Sequence, residues 1–167
     1  MTTGRVPSDM TNLIDAQGLT ALVTELADRD AIRELAIRYA HHAWRKEVAA
    51  IVDLFADDGA FETAALPPIR GREDLFDAYG RMFEEDEFYP FVHNHVIDVD
   101  GDVATGTCYI DLRAVMRGEG LSAWGFYDDD YVRVDGTWKF ATRRVNMSSY
   151  VKLGEELTEN PQRTWED

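Results

Sequence analysis

The chain has 167 residues, 45% of them hydrophobic and 11% aromatic, enough for one domain that buries a core without a covalent staple. Its 32 acidic against 17 basic residues give a formal net charge of −15, a field that repels phosphate backbones and anionic lipid headgroups and argues against nucleic acid and membranes as partners. The single cysteine, Cys108, excludes an internal disulfide, and with no apolar run of signal-peptide or membrane-spanning length the sequence reads as soluble and cytoplasmic.

Residues 1–20, with Gly4, Pro7, Ser8, Asp9 and Gly18 among few large apolar side chains, read as an N-terminal arm. One domain follows over 21–153, and 154–167 reads as a loose acidic tail. Leu22, Leu26, Ile32, Leu35, Ile37, Tyr39 and Ala40 recur at largely helical spacing, and Asp28 or Asp30 is placed to cap a helix over 29–44. A second helix is predicted over 46–55, stopped by Asp57-Asp58-Gly59, before a short strand over 60–63. Pro67-Pro68 forces a loop, and a third helix is predicted over 72–84. The pattern then changes to strands over 92–99, 103–116, 121–134 and 137–150, separated by Asp100-Gly101-Asp102, Gly118-Glu119-Gly120 and Asp135-Gly136. Helices first and an antiparallel meander afterwards imply an α+β fold with the helices on one side of a bent sheet.

Strand alternation puts Trp138, Phe140, Thr142, Arg144, Asn146 and Ser148 on one face, which the two rings mark as inward. An inward Arg144 could hold an oxyanion or carboxylate, and an inward Asn146 could orient a carbonyl or hydroxyl. His93 is the first candidate for a general base, since a neutral imidazole near pH 7 suits proton abstraction, and His95 is the second. The same His-x-His pair with Asp111 has metal-ligand spacing, but nothing in the sequence completes such a site and no metal is predicted. His41 and His42 fall near the end of the first long helix, with His42 taken as a pocket residue. Trp44, Phe61, Tyr109, Trp124 and Tyr127 supply rings for an aromatic or polycyclic ligand. Hydrolase, kinase and dehydrogenase motifs are missing, and no cofactor is indicated.

Several separated pieces occur in a telling order: Asp30-Ala31-Ile32-Arg33-Glu34-Leu35 leading to Tyr39, then Leu54-Phe55-Ala56-Asp57-Asp58, then Gly71-Arg72-Glu73. Ile97 to Ala104 with its Asp-Gly-Asp turn, and Tyr127 through Asp135-Gly136-Thr137-Trp138-Lys139-Phe140, complete the series. Together they resemble the SnoaL-like branch of the nuclear transport factor 2-like superfamily, which includes scytalone dehydratase, a hexachlorocyclohexane dehydrochlorinase and polyketide cyclases. The resemblance implies a cone: a curved, mostly antiparallel sheet wrapped around N-terminal helices, with a deep apolar pocket. It further implies a Tyr39 hydroxyl and an Asn146 amide that hold a substrate oxygen, and Trp44 at the pocket floor. The family's catalytic Asp and His fall, by spacing, at Trp44 and near Pro90, so its usual dyad is not evident. The activity implied is that of a cofactor-independent lyase or isomerase acting by acid-base chemistry through dehydration, elimination, retro-aldol-type cleavage or cyclisation. The alternatives are a non-catalytic binder of hydrophobic ligands or the small subunit of a ring-hydroxylating dioxygenase, and the fold implies a homodimer or trimer.

Overall fold

The structure, a computed structural model, describes residues 15–64 and 66–154. Helix α1 (Ala16–Trp44) is followed by α2 (Val48–Val52), β1 (Phe55–Thr63), β2 (Leu66–Arg70) and α3 (Arg72–Glu85). Four long strands complete the fold: β3 (Glu87–Asp100), β4 (Val103–Met116), β5 (Glu119–Val134) and β6 (Thr137–Lys152). The six strands form one open sheet in the order β2-β1-β6-β5-β4-β3, antiparallel except where β1 runs parallel to β6. The arm over 1–14 and the tail from 155 lie outside the described residues.

The first helix is longer than its periodicity suggested. Asp15 caps it by accepting the Gly18 N–H at 2.7 Å, so the helix predicted over 29–44 begins at Ala16 and takes in the end of the 1–20 segment. Asp28 is no cap either. Buried inside α1, it accepts two bonds from the Arg133 guanidinium at 2.7 and 2.8 Å and one from the Trp138 indole at 3.0 Å. Arg133 holds its carboxyl below the usual range, and the three bonds fix the helix to the β5/β6 hairpin.

The predicted second helix shrinks to one turn because Leu54 offers its carbonyl to the Phe140 N–H instead of to a helical partner. Asp57-Asp58-Gly59 consequently lies within β1. Pro67 and Pro68 sit in β2 at the sheet edge, where a missing N–H does not break a central ladder.

Three single-residue irregularities decide which side chains enter the cone. In β3 the register steps from His93 opposite Tyr109 to His95 opposite Cys108, leaving Asn94, at φ 47°, as an extra residue. In β6 it steps from Phe140 opposite Tyr131 to Thr142 opposite Asp130, making Ala141 the extra one, and Ser148 is inserted in the same way opposite Trp124 and Gly125. Each insertion exchanges the two faces of the strand beyond it.

The concave face and the helices enclose a core that includes Ile32, Leu35, Phe55, Leu75, Ile97 and Phe140. Toward the wide end, the inward positions Val92, Leu112, Val145 and Met147 are part-buried or exposed, so the concave surface opens to solvent there.

Candidate active site

Because Ala141 is inserted, the inward series on β6 runs Trp138, Phe140, Arg143, Val145. Arg143 has no exposed surface and donates from Nε and Nη2 to Asp129 at 3.0 and 2.7 Å. Its guanidinium lies 4.3, 3.9 and 4.1 Å from the ring centroids of Tyr39, Tyr127 and Phe140. Burial opposes its charge, but the Asp129 carboxylate outweighs that and keeps it protonated. Its Nη1 is buried without an acceptor, the one such side-chain atom among the described residues.

Asp129 does more than neutralise Arg143. It accepts the Tyr131 hydroxyl at 3.0 Å, and that oxygen lies 3.0 Å from His95 Nε2. An ionised carboxylate only accepts, so the Tyr131 proton points to Asp129 and the Tyr131 oxygen must receive the His95 Nε2–H. This fixes the tautomer and leaves Nδ1 as the basic nitrogen of His95. Burial pushes the His95 pKa down to about 4, so the ring is neutral near pH 7. Tyr39 and Tyr79 share a hydroxyl hydrogen bond of 2.9 Å beside the guanidinium, and burial raises both phenols, so both stay protonated. Buried Cys108, opposite His95, is pushed up to about 11 by burial and stays an unreactive thiol.

The cone therefore holds a connected polar group, His95–Tyr131–Asp129–Arg143, inside a cage of rings. It can orient a neutral base, supply a buried positive charge and offer one unused donor. The expected deep apolar pocket differs in two ways: its inner part is filled by these side chains, and its chemistry there is polar. The two concavities described, of about 250 and 390 Å³, lie on the outer face of the sheet.

The predicted residues divide between the two faces. Tyr39, Tyr127 and Phe61 are inside, with Phe61 packed on Tyr79 at 5.4 Å, and His95 joins them. His93 is not inside: the Asn94 insertion turns it outward, 47% exposed, with Nε2 3.8 Å from Asp111 Oδ2. Arg144 is also outside, paired with Glu62 and Asp130 at 3.1 and 2.7 Å, and Asn146 is exposed and donates to Asp128. The assumption of uninterrupted alternation fails for both at Ala141. Tyr109, Asp111 and Trp124 occupy the outer face, where alternation along β4 and β5 places them. His42 is part-buried and meets Glu47 at 2.7 Å.

Arg143 and Tyr79 are the residues that sequence reasoning missed. One signal was present. Counting back from the Asp135-Gly136 turn, a regular hairpin sets Arg143 opposite Asp128, whereas one inserted residue sets it opposite Asp129 with both side chains inside. Two adjacent arginines facing three consecutive aspartates leave room for that alternative.

A SnoaL-like domain model matches residues 24–144. The chain belongs to the SnoaL-like domain family. Solved structures agree on the fold. The hexachlorocyclohexane dehydrochlorinase LinA-type3 from Novosphingobium barchaimii is similar at TM-score 0.74 and 19% identity, with 80% of this chain and 94% of that one covered. A scytalone dehydratase candidate from Novosphingobium aromaticivorans is similar at TM-score 0.72 and 21% identity over 80% and 92% of the two chains. A Mycobacterium tuberculosis protein of unknown function shares 25% identity at TM-score 0.69 over 75% of each. Comparison with curated proteins finds no match.

Within this SnoaL-like cone, the two positions at which the sequence resemblance placed the family's acid and histidine do meet. The Trp44 indole N–H donates to the Pro90 carbonyl at 2.8 Å, and Trp44 packs on Tyr89 and Phe91 with ring centroids 4.8 and 5.1 Å apart. Trp44 thus sits at the half-exposed rim rather than the pocket floor. No described helix is long and apolar enough to cross a membrane.

Proposed function

We propose that this SnoaL-like protein is a lyase or isomerase that needs no organic cofactor and acts on a small, ring-containing molecule bearing a carbonyl or carboxylate oxygen. The substrate enters at the wide end of the cone, past the apolar Val92, Val145 and Met147. Arg143, buried behind the filled inner part of the cone, supplies a fixed positive charge toward the oxygen on which negative charge develops, a field strengthened by its low-dielectric surroundings. His95 Nδ1 takes the proton, with Tyr131 and Asp129 holding the imidazole in the required tautomer. Tyr39 and Tyr79, protonated and mutually bonded, can return a proton to the leaving oxygen. The observation that carries this reading is the relay ending in His95, a neutral base oriented by two buried partners.

The test uses NMR of the full chain with a panel of β-hydroxy and β-halo ketones bearing aromatic rings, following deuterium uptake at the carbon next to the carbonyl and elimination. Turnover should fall by about 10²–10⁴-fold in His95→Gln, the range for loss of a general base, with a smaller fall in Tyr131→Phe. Unchanged exchange in His95→Gln would end the proposal.

A second reading, a non-catalytic ligand carrier, draws support from the replacement of the family's acid and histidine by Trp44 and Pro90. Saturable quenching of tryptophan fluorescence by the same ketones, with no exchange or elimination, would select it. We also infer a homodimer through the outer face, where Phe91, Tyr109 and Trp124 are each 45–48% exposed. Sedimentation equilibrium of the wild type and of Trp124→Glu tests that assembly.

A further inference from the structure

The corner between α1 and α2 brings three metal-ligating side chains together, away from the relay. His41 and His42 lie in the last turn of α1, and Glu47 immediately precedes α2, its side chain making no capping bond there. Between them Lys46 takes a left-handed φ of 56°, a conformation that a side-chain-bearing residue adopts only when its surroundings enforce it. Here the Arg45 and Glu47 N–H groups donate to the His42 carbonyl at 3.2 and 3.0 Å, and the Lys46 N–H donates to Ala43 at 3.1 Å. The turn returns the Glu47 carboxylate to α1, with Oε2 2.7 Å from His42 Nδ1. The His41 and His42 rings are 5.4 Å apart, and one nitrogen from each and one Glu47 oxygen all lie within 4.8 Å of one another.

We propose that this corner binds a zinc-type divalent transition-metal ion through His41, His42 and Glu47, with water completing the coordination. Two imidazoles and one carboxylate are a donor set that such ions favour over calcium or magnesium. Metal–ligand distances of about 2.0–2.2 Å in tetrahedral geometry put ligand atoms about 3.3 Å apart. The His42–Glu47 separation must therefore open by roughly 0.6 Å and His41 must swing inward. His41 is exposed, so side-chain rotation alone accomplishes this. The ion replaces the hydrogen bond between His42 Nδ1 and Glu47 Oε2, with the imidazole proton carried on Nε2. The C-terminal end of α1, the negative end of its dipole, and the net charge of −15 both favour a cation here.

Arg45 opposes it. Its Nε holds Glu47 Oε1 at 2.6 Å, leaving Oε2 to the metal but adding a positive charge beside it. When bound, the ion would fix the corner next to Trp44 and hence the rim contact with Pro90.

The sequence makes the site separable from its rivals. It has four histidines, and one of them, His95, is engaged by Tyr131. Cys108 is buried, so the remaining histidine centre is His93 beside Asp111. Zinc chloride is titrated into the untagged full chain at pH 7.5 by calorimetry, with cobalt(II) absorption and histidine-ring NMR as second readouts. One zinc per chain is expected. Affinity should fall at least about tenfold in His41→Ala and in Glu47→Gln, stay unchanged in His93→Ala, and rise a few-fold in Arg45→Ala. His41→Ala removes an exposed ring and keeps the fold available for the measurement. Absence of zinc-dependent heat and of ring shifts, undiminished binding in His41→Ala, or loss of binding in His93→Ala would each overturn the assignment.

Discussion

Removing the Arg143 side chain should strike the fold harder than any surface substitution, because its partner cannot escape to water. Both side chains of the Arg143–Asp129 pair have no exposed surface. In Arg143→Met the Asp129 carboxylate loses two donors at 3.0 and 2.7 Å and keeps only the Tyr131 hydroxyl. Leaving a buried charge unpaired costs about 3–5 kcal/mol, and a domain of this size holds only about 5–15 kcal/mol in total. With a urea m-value of about 1–3 kcal/mol/M, the unfolding midpoint should fall by roughly 2 M. Combining Arg143→Met with Asp129→Asn removes both charges, keeps an acceptor for Tyr131 and retains side-chain volume. The remaining loss is the ring contact with Tyr39, Tyr127 and Phe140, worth about 1–2 kcal/mol. The double variant should therefore be more stable than Arg143→Met alone by about 2–3 kcal/mol, and because Asp129→Asn also leaves a buried charge unpaired, a double-mutant cycle should return a coupling larger than that difference. Urea titration at pH 7.5, followed by far-ultraviolet circular dichroism and tryptophan fluorescence, reads all four proteins. Where Arg143→Met does not fold, Asp129→Asn alone supplies the second edge of the cycle. Additive losses, or a loss below about 1 kcal/mol in Arg143→Met, would refute the interior pair as described.

Acid should weaken the protein through His95. With a folded pKa of about 4 against about 6.5 unfolded, the unfolded chain binds the proton first, so this contribution is intact above pH 6.5 and is lost progressively down to pH 4. Discounted for the ring's partial exposure, the loss is about 1–2 kcal/mol. The difference in pH dependence of the urea midpoints between wild type and His95→Gln measures it. Gly106→Ala should disturb the same contact: the added Cβ would lie 2.8 Å from the Val96 carbonyl oxygen and 3.2 Å from His95 Nε2 and the Tyr131 ring. A destabilisation of about 1–3 kcal/mol by thermal unfolding is expected, together with a shifted His95 ring resonance. His93→Ala and Arg144→Ala, both on the outer face, should change monomer stability by less than about 1 kcal/mol and leave any turnover intact, which denaturation and the ketone assay check.

The sequence by itself determined the α+β order, the hairpin turn at Asp135-Gly136 and the bounds of the 103–116 strand, because these rest on local periodicity and turn chemistry. Of the rings it offered for the pocket, Tyr39, Phe61 and Tyr127 are inside and Tyr109 and Trp124 are on the outer face. Tertiary structure decided which of His93 or His95, and which of Arg143 or Arg144, faces the interior. A strand exchanges its faces for one inserted residue, and nothing in the local sequence marks Asn94 or Ala141 as the place. Those insertions go with pairing between strands: Asp129 meets Arg143 across the β5/β6 pair, and Tyr131 meets His95 across β4. The helix boundary at Asp28 has the same origin, since its carboxylate serves as a cap in isolation but finds Arg133 and Trp138 once the last hairpin is in place.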